Sequence, residues 1–338
     1  MMKTLKKFYT GLLALTLALS LAACGDSASG GSDTPDAPDG GEEKPLVIGI
    51  SQYGEHASLD NCRTGFLLGL EEAGLVEGVD YTIEYQNAGF DDNIATQIGA
   101  TFSAMGVDLM AAIATPSATA CFAAAEDKDI PVIFTAITDP VGANLDSGNI
   151  TGTSDVLPVE GQLDLIRQLQ PNARTIGIVY TTSEANSVYS VGVYEEKAAD
   201  YGFAIETVGV LEQSEVTQAI DTLLSKGVDC ISNLTDNTVV GVLPAILEKT
   251  NEAGVPVYGS EIEQMKLGCV AGAGLDYIKL GVQTGQMAAK ILRGEAACQD
   301  LPYEAIENYD LYINSEALDA MGLAIPGAVS ANAIEVNE

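Results

Sequence analysis

Tryptophan is absent from the 338-residue chain, histidine occurs once, and basic residues number 15 against 48 acidic ones. Each shortage closes off a class of function. With His56 as the lone imidazole, no G-x-S-x-G and no phosphate-binding lysine loop, neither a serine hydrolase nor a phosphoryl-transfer enzyme finds its residues here. Paired carboxylates carry no weight in so acidic a chain. No C-x-x-C pair exists, so no metal site is expected, and nothing calls for a cofactor. A formal charge of -33 and a pI near 4.1 exclude nucleic acid as a partner. The missing tryptophan also counts against a sugar site built on stacked aromatics.

An apolar fraction of 47% with 19% charged residues describes a globular α/β protein whose acidity lies on its surface. The length suffices for two full cores. The first 23 residues read as a leader rather than as fold. Lys3, Lys6 and Lys7 form a basic start, and Leu12 to Leu21 an apolar run too short for the roughly 20 residues of a membrane span. Leu21-Ala22-Ala23-Cys24 is a small-residue cleavage site ending in cysteine, and the whole resembles a bacterial lipoprotein signal. That resemblance implies cleavage before Cys24, a lipid on its thiol and anchorage outside the cytoplasm. Residues 24–45, rich in Gly, Ser, Asp and Pro, then form a solvated tether. Cys62, Cys121, Cys230, Cys269 and Cys298 are irregularly spaced, and their odd number leaves at least one free thiol.

From Leu46 onward, short apolar runs alternate with helical periodicity. Leu46 to Ile50 predicts a strand, Leu59 to Ala73 a helix ended by Gly74, Tyr81 to Gln86 a strand, and Asn93 to Met105 a helix with Ile94, Ile98 and Phe102 on one face. Leu109 to Ala114 predicts a buried strand, and Thr115-Pro116-Ser117 opens a helix with proline in its first turn. Strands follow at Ile130 to Phe134 and Ile150 to Thr153. Apolar strands joined by helices imply a parallel, doubly wound sheet that gathers ligands at its carboxyl ends. Those ends are polar: Ser51-Gln52-Tyr53, Thr115-Pro116-Ser117, Thr135 to Asp139, and Ser154-Asp155.

A second cycle begins after Pro158, with strands at Arg174 to Tyr180, Ala204 to Val208 and Val228 to Leu234 and a short one around Val257. Gly254 to Tyr258 echoes Asp129 to Ile133, and Thr235-Asp236-Asn237 stands where Thr115-Pro116-Ser117 stands in the first half. Two facing sheets would bring both turns to one cleft. A helix from Asp276 to Arg293 and a strand at Tyr309 to Ile313 follow, while Asn314 to Glu338 receives no assignment.

Six motifs in order, Ile50-Ser51-Gln52, Glu55-His56, Ala114 to Ala118, Thr138 to Gly142, Glu184 to Ser187 and Thr235 to Thr238, make the chain resemble the tryptophan/tyrosine ABC-transporter substrate-binding proteins from about residue 46 to 305. The resemblance implies a type I periplasmic-binding-protein fold, two doubly wound parallel-sheet lobes joined by a three-crossover hinge. The first lobe is expected over 46–155 plus about 275–300, the second over 156–274 plus about 301–338. A monomer that delivers an aromatic amino acid to an ABC permease is implied. A same-fold sugar or nucleoside binder is the alternative reading, and an enzyme the weaker one. An α-amino acid needs an anion seat, a carboxylate for its ammonium and an apolar slot. Helix starts at Ser117 and Ser187 are candidates for the first. Asp236 leads for the second, with Asp139 and Glu261 in reserve, since a charge-assisted hydrogen bond is about twice as strong as a neutral one. Tyr53, His56 and Pro116 are candidates for the slot, with Gln52, Thr115 and Asn237 beside them. Asn186 can both donate to and accept from a zwitterion.

Overall fold

The computed structural model describes residues 44–305 and 309–336. The expected leader, the lipidation site Cys24 and the tether up to residue 43 lie outside the described residues. The remainder forms one compact unit from Lys44 onward.

The alternation of apolar runs with amphipathic helices is realised as successive strand–helix units: β1 (Leu46–Gln52), α1 (Ala57–Glu72), β2 (Tyr81–Asn87), α2 (Asp92–Met105), β3 (Leu109–Ile113), α3 (Thr115–Ala125), β4 (Val132–Ile137) and β5 (Ile150–Ser154). The chain then continues through α4 (Val159–Leu169), β6 (Thr175–Thr181), α5 (Ala185–Lys197), β7 (Ala204–Val210), α6 (Gln213–Lys226), β8 (Cys230–Ser232), α7 (Asn237–Val240), α8 (Leu243–Ala253), β9 (Val257–Tyr258), α9 (Ile262–Leu267) and β10 (Ala271–Gly274). It closes with α10 (Tyr277–Leu292), β11 (Glu304–Ala305), β12 (Asp310–Ile313), α11 (Ser315–Ala320), α12 (Gly327–Ser330) and β13 (Ala333–Glu335).

Two sheets result, with strand orders β11-β5-β4-β3-β1-β2 and β13-β12-β10-β9-β8-β6-β7. The first is wholly parallel, whereas the second is parallel except where β10 meets β12. In each, the first strand of the cycle lies between its next two, which creates the strand-order reversal where such sheets bind ligands. The chain passes between sheets three times: after β5, between β10 and α10, and after β11.

Several boundaries differ from the sequence reading. β11 pairs with β5, so the last passage to the second sheet follows Ala305 rather than residue 301. Ile94 is 42% exposed, and the buried face of α2 is Ala95, Ile98, Gly99 and Phe102, of which Gly99 lets α2 approach Ala120 and Ala124 of α3 closely. The unassigned C-terminal stretch supplies α11, α12 and the edge strand β13, elements too short to show a period. All five cysteines of the described unit are buried free thiols.

Helix α10 belongs to the first sheet because of four glycines. A Cβ on Gly65 would lie 2.1 Å from Ile278 O, and one on Gly281 would lie 2.3 Å from Cys62 O. Gly69 and Gly285 make the next contact along the same seam. Only glycine permits that backbone-to-backbone approach. Residues 65 and 69 meet 281 and 285 in ascending order, so α1 and α10 run in the same direction. Both helices therefore start at the same end of the structure, beside the carboxyl edge of the first sheet.

Candidate functional site

A small cavity of about 10 Å³ lies where those helix starts meet the second sheet's helices. From the first-sheet side it is lined by His56, Ser58, Leu59, Ala136 and Thr138; from the second by Asn186, Thr235, Asn237, Val240, Glu261 and Gln264; Asp155 and Tyr277 complete it. His56 is the N-cap residue of α1 but makes no side-chain cap, and Ser58 and Leu59 of the first turn of this 16-residue helix line the cavity with it. Ala136 reaches the lining through a register shift in β4 and a left-handed φ of 60°, an uncommon conformation for a residue with a Cβ and one that clusters at functional sites.

Two carboxylates face the space. Asp155 accepts from Thr138 Oγ1 at 2.9 Å and from Tyr277 Oη at 2.6 Å. Glu261 caps α9 by accepting from Glu263 N at 2.8 Å and Gln264 N at 3.1 Å, and Ser58 of α1 lines the cavity with it. Burial pushes both carboxyls up, Glu261 to about 7. No Lys or Arg lines the cavity among the described residues.

The opposite wall is organised by Glu184, which sequence reasoning quoted in a motif but did not place in the site. Its carboxylate accepts from Asn237 N and Thr238 N at 3.0 Å each, from Thr238 Oγ1 at 2.8 Å, from Asn237 Nδ2 at 2.7 Å and from Asn186 Nδ2 at 3.3 Å. Both amides are thereby held by their nitrogen, and their oxygens turn elsewhere. Asn237 Oδ1 lies 3.5 Å from His56 Nε2, while Asn186 Oδ1 and His56 Nδ1 are buried without a partner. Unpaired buried polar atoms are rare enough to mark a place where something else binds. Burial pushes the His56 imidazole down to about 4 and Glu184 up to about 7, the latter with help from neighbouring Asp236.

Of the residues singled out from sequence, His56, Asn186, Asn237 and Glu261 come together here. The others do not. Asp236 is the N-cap of α7: it accepts from Val239 N at 2.9 Å, Thr181 N at 2.6 Å and Thr181 Oγ1 at 2.9 Å, so both oxygens are spent inside the second-sheet half, while Ser187 Oγ accepts from Asn186 Nδ2 at 3.4 Å. Asp139 holds Gly142 N at 2.9 Å in a turn. Ser117 is buried against Ser51, and the N-cap of its helix is Ala114 rather than a side-chain cap. Thr115 and Pro116 line an outer groove with Asp92 and Ala185, so the two matching turns do not share one cavity. Gln52 bridges Asp60 and Gly54 and accepts from Arg63, which fixes the loop before α1. Tyr53 packs edge-on to Phe90 and donates to Asp92 Oδ1 at 2.9 Å. Leu59 enters the sequence reading only as core periodicity, and Tyr277 does not enter it at all.

A family profile described as ABC transporter substrate binding protein matches residues 47–337. The chain belongs to this family. As a substrate-binding protein it is 35% identical over 324 residues to the Tyrosine-binding protein of Clostridioides difficile (strain R20291), covering 94% of this chain and 93% of the other. The ABC domain in complex with L-Trp from Streptococcus pneumonia superposes with a TM-score of 0.83 at 33% identity, over 87% of this chain and 100% of that one. The ligand-free, open structure of a substrate-binding protein with adhesive properties from Clostridium difficile gives 0.64 at 36% identity, over 86% and 100%. The fold is that of the type I periplasmic binding proteins, as the sequence resemblance implied. The family is one of binders, not enzymes.

Proposed function

We propose that this substrate-binding protein captures an aromatic amino acid, tyrosine or tryptophan, in the cavity between its two sheets and delivers it to an ABC permease. The observation that carries the reading is the pairing of Asp155 and Glu261 with the uncapped start of α1 across one buried space. Two buried carboxylates lacking a basic neighbour are costly until a cation meets them. The ligand ammonium fills that role with Glu261, Asp155 and Asn186 Oδ1. The ligand carboxylate goes to the N–H groups of α1, not to Ser117 or Ser187, which lie outside the cavity lining. A sugar or nucleoside would leave both carboxylates uncompensated, which disfavours it.

The two halves act as lobes, the first over the strands of the first sheet with α10, the second over the rest, closing about the three connecting passages. The arrangement described here is the closed one. His56 to Asn237 and Asn61 Nδ2 to Glu263 Oε1 at 2.9 Å both bridge the halves. The lower TM-score to an open relative of higher identity supports the same view. The chain works outside the cytoplasm as a monomer, tethered by a lipid on Cys24.

Titration calorimetry of the purified protein with L-tryptophan, L-tyrosine and L-phenylalanine tests the ligand class: exothermic or endothermic saturable binding of at least one is expected, and no heat with any overturns it. Release of a Cys24→Ala variant from the membrane fraction tests the anchor, and retention there overturns it.

A further inference from the structure

We propose that the same cavity binds aromatic monoamines, the decarboxylated counterparts of tyrosine and tryptophan, as ligands in their own right. This rests on the aromatic reading above and deepens it by ranking the two charged ends of the ligand. The cavity compensates them unequally. The ammonium meets two formal carboxylates, Asp155 and Glu261, and the unpartnered oxygen of Asn186. Behind Asn186 and Asn237 stands a third carboxylate, Glu184, and behind Asn237 the capping carboxylate of Asp236.

Nothing of opposite sign offsets these four acids. Among the described residues no Lys or Arg lines the space. Arg63, in the second turn of α1, is turned away onto Gln52 Oε1 at 2.7 Å, Asp60 Oδ1 at 3.2 Å and the ring of Tyr85. His56 is half-buried beside Phe90 and stays neutral, its imidazole pushed down to about 4. Tyr277 spends its hydroxyl on Asp155, and Thr138 does the same. The amides of Asn186 and Asn237 present oxygens, because Glu184 holds their nitrogens. A ligand carboxylate therefore finds only neutral donors, the N–H groups of α1, inside a field that repels it, since the one N–H of neutral His56 faces Asn237 Oδ1. Removing that carboxylate deletes a few neutral hydrogen bonds and relieves repulsion, whereas masking the ammonium leaves buried acids unpaired.

Calorimetry of the same protein with four probes separates the possibilities: L-tryptophan, L-tyrosine, and the amines tryptamine and tyramine, with N-acetyl-L-tryptophan as the compound that keeps the carboxylate and masks the ammonium. Losing two or three neutral hydrogen bonds predicts that each amine binds within about a hundredfold of its amino acid. N-acetyl-L-tryptophan should give no saturable heat. If the amino acids bind and both amines fall beyond that hundredfold, or if the N-acetyl compound binds as well as tryptophan, the amine inference fails and the amino-acid reading stands. If no probe binds, the aromatic reading itself has failed, and this inference with it. Saturation by the amines alone supports the inference and overturns the amino-acid assignment.

Discussion

Glu184 Oε2 accepts from Asn237 Nδ2 at 2.7 Å, and that bond turns the amide oxygen of Asn237 toward His56 Nε2, 3.5 Å away across the boundary between the two halves. One buried acid thus determines what the far wall of the cavity offers. Four expectations follow from this and neighbouring contacts.

Glu184→Gln keeps the shape but replaces one acceptor oxygen by an NH2 group facing the donors of Asn237 and Thr238. An unsatisfied buried donor costs about 1–3 kcal/mol, so the thermal midpoint should fall measurably by calorimetric scanning. Binding of tyrosine or tryptophan should weaken as well, because the amide oxygens lose their fixed direction. A variant as stable and as tight as the parent would show that the Glu184 network orients nothing.

Asp236 and Glu261 should separate cleanly. Glu261→Gln removes a charge that faces the ligand, and loss of a charge-assisted hydrogen bond weakens binding by about tenfold to a hundredfold. Asp236→Asn disturbs a cap whose oxygens serve Val239 and Thr181, costing about 1–3 kcal/mol of stability while leaving Kd within about threefold. Calorimetric Kd alongside denaturant unfolding checks both. The reverse pattern would restore Asp236 to the ligand.

Gly281→Ala places a Cβ against Cys62 O in the seam between α1 and α10. Overpacking of this kind costs about 1–3 kcal/mol or more, and displacement of α1 carries its N-terminus away from the cavity. Lower unfolding midpoint and weaker ligand binding should appear together. Unchanged values for both would mean the seam has room that the backbone contacts deny.

Affinity should depend on pH in a defined direction. Without ligand, burial holds Glu261 up near 7 and Asp155 above its usual range. A bound ammonium favours the ionised carboxylates, so binding below about pH 7 must release protons and the apparent affinity drops, by up to about tenfold per pH unit for one such group. His56 stays neutral down to about 4 and does not oppose the trend between pH 5 and 7, and Glu184, also raised to about 7, shifts the same way. Titrations at pH 5.5, 6.5 and 7.5 in buffers of different ionisation enthalpy measure both the affinity and the protons released. Affinity that rises on acidification would contradict the ammonium–carboxylate pairing.

The sequence by itself determined the alternation of strands and helices, the two parallel-dominated sheets and the family, because apolar periodicity and turn residues act over a few positions and need no knowledge of distant ones. It also singled out His56, Asn186, Asn237 and Glu261, which do meet in the cavity, and the polar strand end Ser154-Asp155, which supplies Asp155 to it. Tertiary structure alone decided which of those segments face inward. Asp, Asn, Ser and Thr serve equally as helix caps and as ligand contacts, so Asp236 and Ser117 look the same in sequence whether they bind a backbone N–H or a ligand. The choice depends on how each helix start is rotated against the opposing half. The glycine seam aims the start of α1 at the cavity, the outer groove takes Thr115 and Pro116, and Glu184 fills the N–H groups ahead of α7. Asp155, on the passage between the sheets, becomes a wall of the cavity only because residues from both halves supply the other walls.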